Sequence, residues 1–107
     1  MALKISVKNP EEFEQLIKDK NLKISKGIVT GILENLTGKR KNIHVLEVFI
    51  EEEDSIVDIT VHRDDFIDTL KENLKTHIYH EDYEACVGIQ SAIDYLNKYK
   101  NEKKGNI

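Results

Sequence analysis

Residues 43–62 read IHVLEVFIEEEDSIVDITVH, and the fold turns on what they form. From Ile43 to Ile50, Leu46, Val48 and Ile50 fall on one face of an extended chain and Ile43, Val45 and Phe49 on the other. Apolar character on both faces predicts a central strand. Glu51-Glu52-Glu53-Asp54 reads as an acidic turn. The next eight residues alternate, with Val57, Ile59 and Val61 expected inward and Asp58, Thr60 and His62 outward. Two strands so close in sequence are expected to pair as an antiparallel hairpin. Leu3, Ile5 and Val7 alternate with Lys4, Ser6 and Lys8, which predicts a third strand in the same sheet.

Helices are expected on either side of this hairpin. Asn9-Pro10-Glu11-Glu12 combines an N-cap residue, a proline suited to the first helical position and acids that complement the helix dipole. Phe13, Leu16 and Ile17 supply its buried stripe, and the helix should fade near Lys20-Asn21. A second helix is expected from a Ser25 cap to about Leu36, on the spacing of Ile28, Ile32 and Leu36. Gly38 stands where a C-terminal glycine would end it. Gly27 and Gly31, one turn apart, cost such a helix about 1 kcal/mol each relative to alanine. A strand over 27–33 therefore competes, unless close packing explains the two glycines. Asp64 or Asp65 should cap a third helix carrying Phe66, Ile67, Leu70 and Leu74, with a break at His77 to His80. A fourth is expected from Glu81 to Tyr99. The order β-α-α-β-β-α-α makes an α+β domain, with a small antiparallel sheet of about three strands and a terminal αα-hairpin.

The chain's 107 residues allow one domain over 1–100, followed by a polar, frayed tail over 101–107. Sixteen basic against twenty acidic residues give a net charge of −4, which disfavours bulk binding to nucleic acid or anionic membranes. A single cysteine excludes an internal disulfide framework. The first residues alternate rather than forming an apolar run, so no signal peptide is read there, and no stretch approaches a membrane span. A cytoplasmic protein is expected. The composition, rich in lysine, asparagine and isoleucine, fits an AT-rich bacterial or phage genome.

Residues 81–96, EDYEACVGIQSAIDYL, carry a motif-like pattern. Tyr83-Glu84 form an aromatic–acid pair, Cys86 and Val87 follow as a small pair, Ile89 takes an aliphatic position, and Ile93 and Leu96 trail at helical spacing. This pattern resembles the second half of the UVR motif, a helical hairpin found in the excision-repair B and C subunits and in some protease adaptors. The likeness covers residues 70–97. Gln90-Ser91 stand where the family has Arg-Asp, Val87 is larger than the usual alanine, and Gly88 replaces a helix former. The resemblance implies that part of the hairpin is a docking surface for another protein. Tyr83, Glu84, Ile89, Gln90, Ile93 and Leu96 would then carry the contact. Read from spacing alone, the same stripe is the last core helix of the domain.

Other clusters carry less. His77 and His80 in HIYHED, and His62 before Arg63-Asp64-Asp65, lack any diagnostic metal spacing and read as surface histidines. Neither a metal nor another cofactor is expected. Cys86 reads as a buried small hydrophobe rather than a nucleophile. Lys39-Arg40-Lys41 is the one basic cluster, and its sequence neighbourhood offers no aromatic for base stacking. The leading expectation is a non-enzymatic protein that binds another protein, or itself, through its C-terminal hairpin. The alternative is a nucleic-acid-binding regulator using Lys39, Arg40 and Lys41.

Overall fold

In a computed structural model, which describes residues 2–105 with side chains to Tyr99, the central strand β2 (Asn42–Ile50) is interrupted by a bulge. Its partner β3 (Ser55–His62) advances one residue, from Thr60 to Ile59, while β2 advances two, from His44 to Leu46. The extra residue, Val45, shifts the alternation by one. Ile43 and Val45 before the shift, and Leu46, Val48 and Ile50 after it, are all buried. The strand is therefore apolar on one face only, and the expectation of two apolar faces is corrected. Phe49 alone stays outward, level with Ile56 of β3 on the open side. The adjacent apolar pair Val45-Leu46 was the mark of the bulge in the sequence.

Strand β1 (Leu3–Val7) pairs with β2 in parallel, so the sheet, ordered β1-β2-β3, is mixed rather than antiparallel throughout. Parallel neighbours need a long crossover, and the two helices between β1 and β2 provide it. Helix α1 (Pro10–Lys18) is capped as its sequence predicts: Asn9 Oδ1 accepts from the Glu12 N–H at 2.9 Å, and Glu12 Oε2 accepts from the Lys8 N–H. Phe13 and Leu16 are half-buried against the core, but Ile17 is exposed, outside the stripe of this short peripheral helix.

Helix α2 (Leu22–Leu33) settles the competition over 27–33. Its cap is Asn21, whose Oδ1 accepts from the Ile24 N–H, one turn earlier than the expected Ser25. Ser25 is instead buried, its hydroxyl donating to Asn73 Oδ1 at 2.7 Å. The helix also ends three residues before Leu36, and Gly38 has no positive φ. The two glycines have a steric reason. A Cβ on Gly31 would stand 2.7 Å from Val45 Cγ1, and one on Gly27 would stand 2.8 Å from Leu3 Cδ2. The helix thus lies directly on β1 and the bulge of β2.

Arg63–Asp65 form a 3-10 turn leading into α3 (Phe66–Tyr79). Asp65 occupies the cap position without a side-chain bond, and His62 Nδ1 accepts from the Asp64 N–H. Helix α4 (Tyr83–Gly105) returns along α3, and Ile89, Ala92 and Ile93 join Phe66 and Leu70 in one core with the sheet's covered face. The α+β class, the element order and the terminal αα-hairpin are as expected. The expected tail continues α4 as far as Gly105, while residues 106–107 lie outside the described residues. Along β3, burial falls from Val61 through Ile59 to Val57, with distance from where the chain leaves for α3. Val57 is on the covered face by register yet 41% exposed, contrary to expectation. The other face is open to solvent and polar apart from Phe49 and Ile56, with His44 3.0 Å from Asp58 and Lys4 3.9 Å from Glu47.

Candidate functional site

Two regions gather the residues singled out by the sequence: the corner of the α3–α4 hairpin and the basic turn between α2 and β2. The corner is built by backbone capping. Glu81 adopts the left-handed conformation (φ 57°), and the N–H groups of His80, Glu81 and Asp82 donate to Thr76, Ile78 and His77 carbonyls. Neither Glu81 nor Asp82 lies within the first turn of α4, as the sequence suggested. Asp82 instead precedes it, its carbonyl accepting the first helical bond, from Cys86. Its carboxylate turns back to His77, with Oδ2 3.0 Å from Nδ1. A carboxylate only accepts, so Nδ1 carries the proton of this bond.

His77 is 1% exposed, which overturns its reading as a surface histidine. Its Nε2 is buried without a partner. The pairing with Asp82 ties the last turn of α3 to the start of α4. His80 is exposed as expected, and its Nε2 donates to the Lys20 carbonyl at 2.6 Å. Tyr79 packs edge-on against His80 and lies under the Lys20 ammonium, 5.5 Å from ring centroid to Nζ. Among the described residues, no three His, Cys, Asp or Glu side chains are grouped to hold a metal. Cys86 is half-buried rather than fully buried.

The six residues expected to carry a protein contact do not share one surface. Ile89 and Ile93 are buried and Leu96 is half-buried against the core, so the stripe they form is occupied within the domain. Tyr83, Glu84 and Gln90 are exposed on the outer side, Gln90 bonded to Asp94 one turn on. Val87, 68% exposed and one turn from Tyr83, belongs with them, although the sequence reading gave it only to the motif's small pair and not to the contact residues. The signal was present: at helical spacing Tyr83 and Val87 point away from Ile89 and Ile93. Ile78 and Tyr79 add exposed apolar surface at the end of α3.

The basic turn is organised by a residue the sequence did not single out. Arg63 donates from Nε to the Arg40 carbonyl at 2.7 Å and from Nη1 to the Leu36 carbonyl at 3.3 Å, and its backbone N–H donates to the Lys41 carbonyl. Its guanidinium also lies over the Phe66 ring. Lys39, Arg40 and Lys41 remain exposed. Beside the turn a cavity of about 630 Å³ is walled by Lys39, Arg63 and Asp64 on one side and by Tyr95, Leu96 and Tyr99 of α4 on the other. The fold therefore supplies the aromatics that the turn's own sequence lacks. No helix among the described residues is long and apolar enough to cross a membrane. No family model, curated protein or solved structure matches this chain.

Proposed function

We propose that the chain is a non-enzymatic interaction protein that docks on another protein through the outer side of its C-terminal hairpin. The observation that carries this reading is the exposure of Tyr83 (61%) and Val87 (68%) on the helix face opposite a fully buried one. Single exposed apolar residues need no explanation, but a group of them at one corner is informative. With Ile78 and Tyr79, four such residues fall within ten positions around a tight turn. Glu81 and Glu84 are exposed next to Tyr83, while Lys20 lies over Tyr79. A second copy seated on Tyr83 and Val87 would bring Glu81 and Glu84 of both copies together. An apolar helix flanked by basic residues suits the patch, and the resemblance to the UVR motif points to the same kind of partner. The docking residues on this reading are Tyr83, Glu84, Val87 and Gln90, while Ile89, Ile93 and Leu96 hold the helix in place.

Photo-crosslinking from position 90, exposed on the same side, in cells of the source organism, compared with the same chain carrying Tyr83→Ala/Val87→Asp, tests the proposal. A control, Ile56→Asp, alters the open sheet face, where Ile56 is 61% exposed. The expected result is a discrete crosslinked partner that the double variant loses and the control keeps. Equal capture by all three chains would refute it, and a crosslink only to the chain itself would replace the foreign partner with self-association.

The alternative, binding of nucleic acid at Lys39, Arg40 and Lys41, gains support from Tyr95 and Tyr99 lining the same cavity as Lys39. Affinity for oligonucleotides that falls steeply with salt would favour it, and no binding at low salt would remove it.

A further inference from the structure

The cavity beside the basic turn has an electrostatic peculiarity. Arg63 is half-buried, and among the described residues no carboxylate forms an ion pair with it. Two of its nitrogens are bound to neutral carbonyls, and the third, Nη2, is buried without a partner, against Gly38. Carbonyls satisfy N–H groups but leave the charge in place, and a partly desolvated cation favours an anion nearby. Lys39 adds a second positive charge at the mouth of the same cavity, while Asp64 is the one acid in its wall. Across from them stand Tyr95 and Tyr99, one turn apart on α4, and Phe66 and Leu96 also line the cavity. About 630 Å³ is within the usual size of a small-ligand site.

We infer that this cavity binds a single nucleotide unit, its planar base against Tyr95 and Tyr99 and its phosphate facing Lys39 and the uncompensated charge of Arg63. Stacking on aromatic rings together with a nearby cation is the chemistry that holds bases without reading their sequence. The unit has two sources, a free mononucleotide or the end of a single strand. The net charge of −4 favours the free form, because each further phosphate of a strand adds repulsion from the molecule as a whole. The inference rests on the basic-turn reading and is independent of docking at the hairpin corner.

The test is a titration of the isotope-labelled full chain at low salt, followed by amide and tyrosine-ring resonances. The probes are AMP, adenosine, inorganic phosphate and a short oligo-dA. AMP is expected to shift Gly38, Lys39, Arg63 and the rings of Tyr95 and Tyr99 saturably. Adenosine and phosphate alone should bind at least about tenfold more weakly, since each retains only half of the contacts. Lys39→Gln and Tyr99→Ala, both at exposed positions, should each weaken AMP by about five- to tenfold with the spectrum otherwise unchanged. No saturable shift with AMP overturns the inference, as does binding that neither variant affects. If oligo-dA shifts the Arg40 and Lys41 amides of the turn while the tyrosine rings stay unmoved, the cavity is excluded but the basic-turn reading survives. Binding of neither AMP nor oligo-dA removes both.

Discussion

Gly31→Ala is the most direct test of how α2 sits on the sheet. On an isolated helix this change would stabilise by about 1 kcal/mol, because alanine loses less backbone freedom and has the higher helix propensity. Here the new methyl would stand 2.7 Å from Val45 Cγ1 and 3.4 Å from Val45 Cβ. Val45 is 1% exposed, β-branched and fixed at the bulge, so it cannot rotate away without displacing the strand. Overpacking of this kind costs about 1–3 kcal/mol and occasionally more. The fixed neighbour puts the cost at the upper end, about 2–3 kcal/mol, so after the helix gain a net loss of about 1–2 kcal/mol is expected, a fall in Tm of roughly 4–8 °C per kcal/mol for a domain of this size. Gly27→Ala should destabilise too, since its Cβ would stand 2.8 Å from Leu3 Cδ2, 3.0 Å from Leu3 Cβ and 3.3 Å from Leu46 Cδ2. Urea denaturation followed by circular dichroism measures both, and an unchanged slope shows that only stability has moved. Val45→Ala made together with Gly31→Ala should be less damaging than the sum of the two, with a coupling of about 1 kcal/mol. If Gly31→Ala unfolds at the same or higher urea concentration than the unaltered chain, the close approach is wrong.

Two further outcomes follow from burial along α4 and at the hairpin corner. Ile89→Asp places a charge at a position 0% exposed and should cost more than about 4 kcal/mol, whereas Val87→Asp, two residues earlier and 68% exposed, should stay within about 0.5 kcal/mol. A native circular dichroism spectrum and melting point for Ile89→Asp would contradict this placement of the helix. Asp82→Ala strips the buried His77 of its partner and should cost about 1–3 kcal/mol, with Asp82→Asn, which keeps an acceptor oxygen, losing less. Equal urea midpoints for Asp82→Ala and the unaltered chain would show that the pair does not hold the corner.

The elements themselves were legible because their periods are strong: alternation in β1 and β3, helical spacing in α3 and α4, and the Asn9-Pro10 start of α1. The direction of β1 was not legible, since alternation says nothing about which way a neighbouring strand runs. The bulge escaped because a strict period of two was assumed through Val45-Leu46, and that one step moved three apolar residues to the other face. Asn21 was missed as the α2 cap because Ser25 is an equally good cap by type, and only its hydrogen bond to Asn73 removes it. At the candidate sites, the apolar stripe of α4 was identified, but spacing alone could not say whether its partner lay inside or outside the molecule. Its burial assigns Ile89 and Ile93 to the core and turns attention to Val87. His77 falls seven residues after Leu70 and three after Leu74, on the buried stripe of α3, but the helix break expected at His77 hid that signal. Nothing near Lys39-Arg40-Lys41 foretold Arg63, Tyr95 and Tyr99, which reach the turn only through the tertiary fold.

The extra residue at Val45 also governs what kinds of hereditary change the strand can absorb. Exchanging one aliphatic residue for another in β2 alters volume and leaves every side chain on its own side. Losing Val45 would restore simple alternation and leave every other side chain on its own side, because His44 and Leu46 already oppose the consecutive residues Thr60 and Ile59. Losing Glu47 instead would push Leu46 outward, or else send Val48 and Ile50 to the open side. β2 can therefore lose a residue at the bulge with its sides unchanged, and what that loss removes is the close contact of Val45 with Gly31.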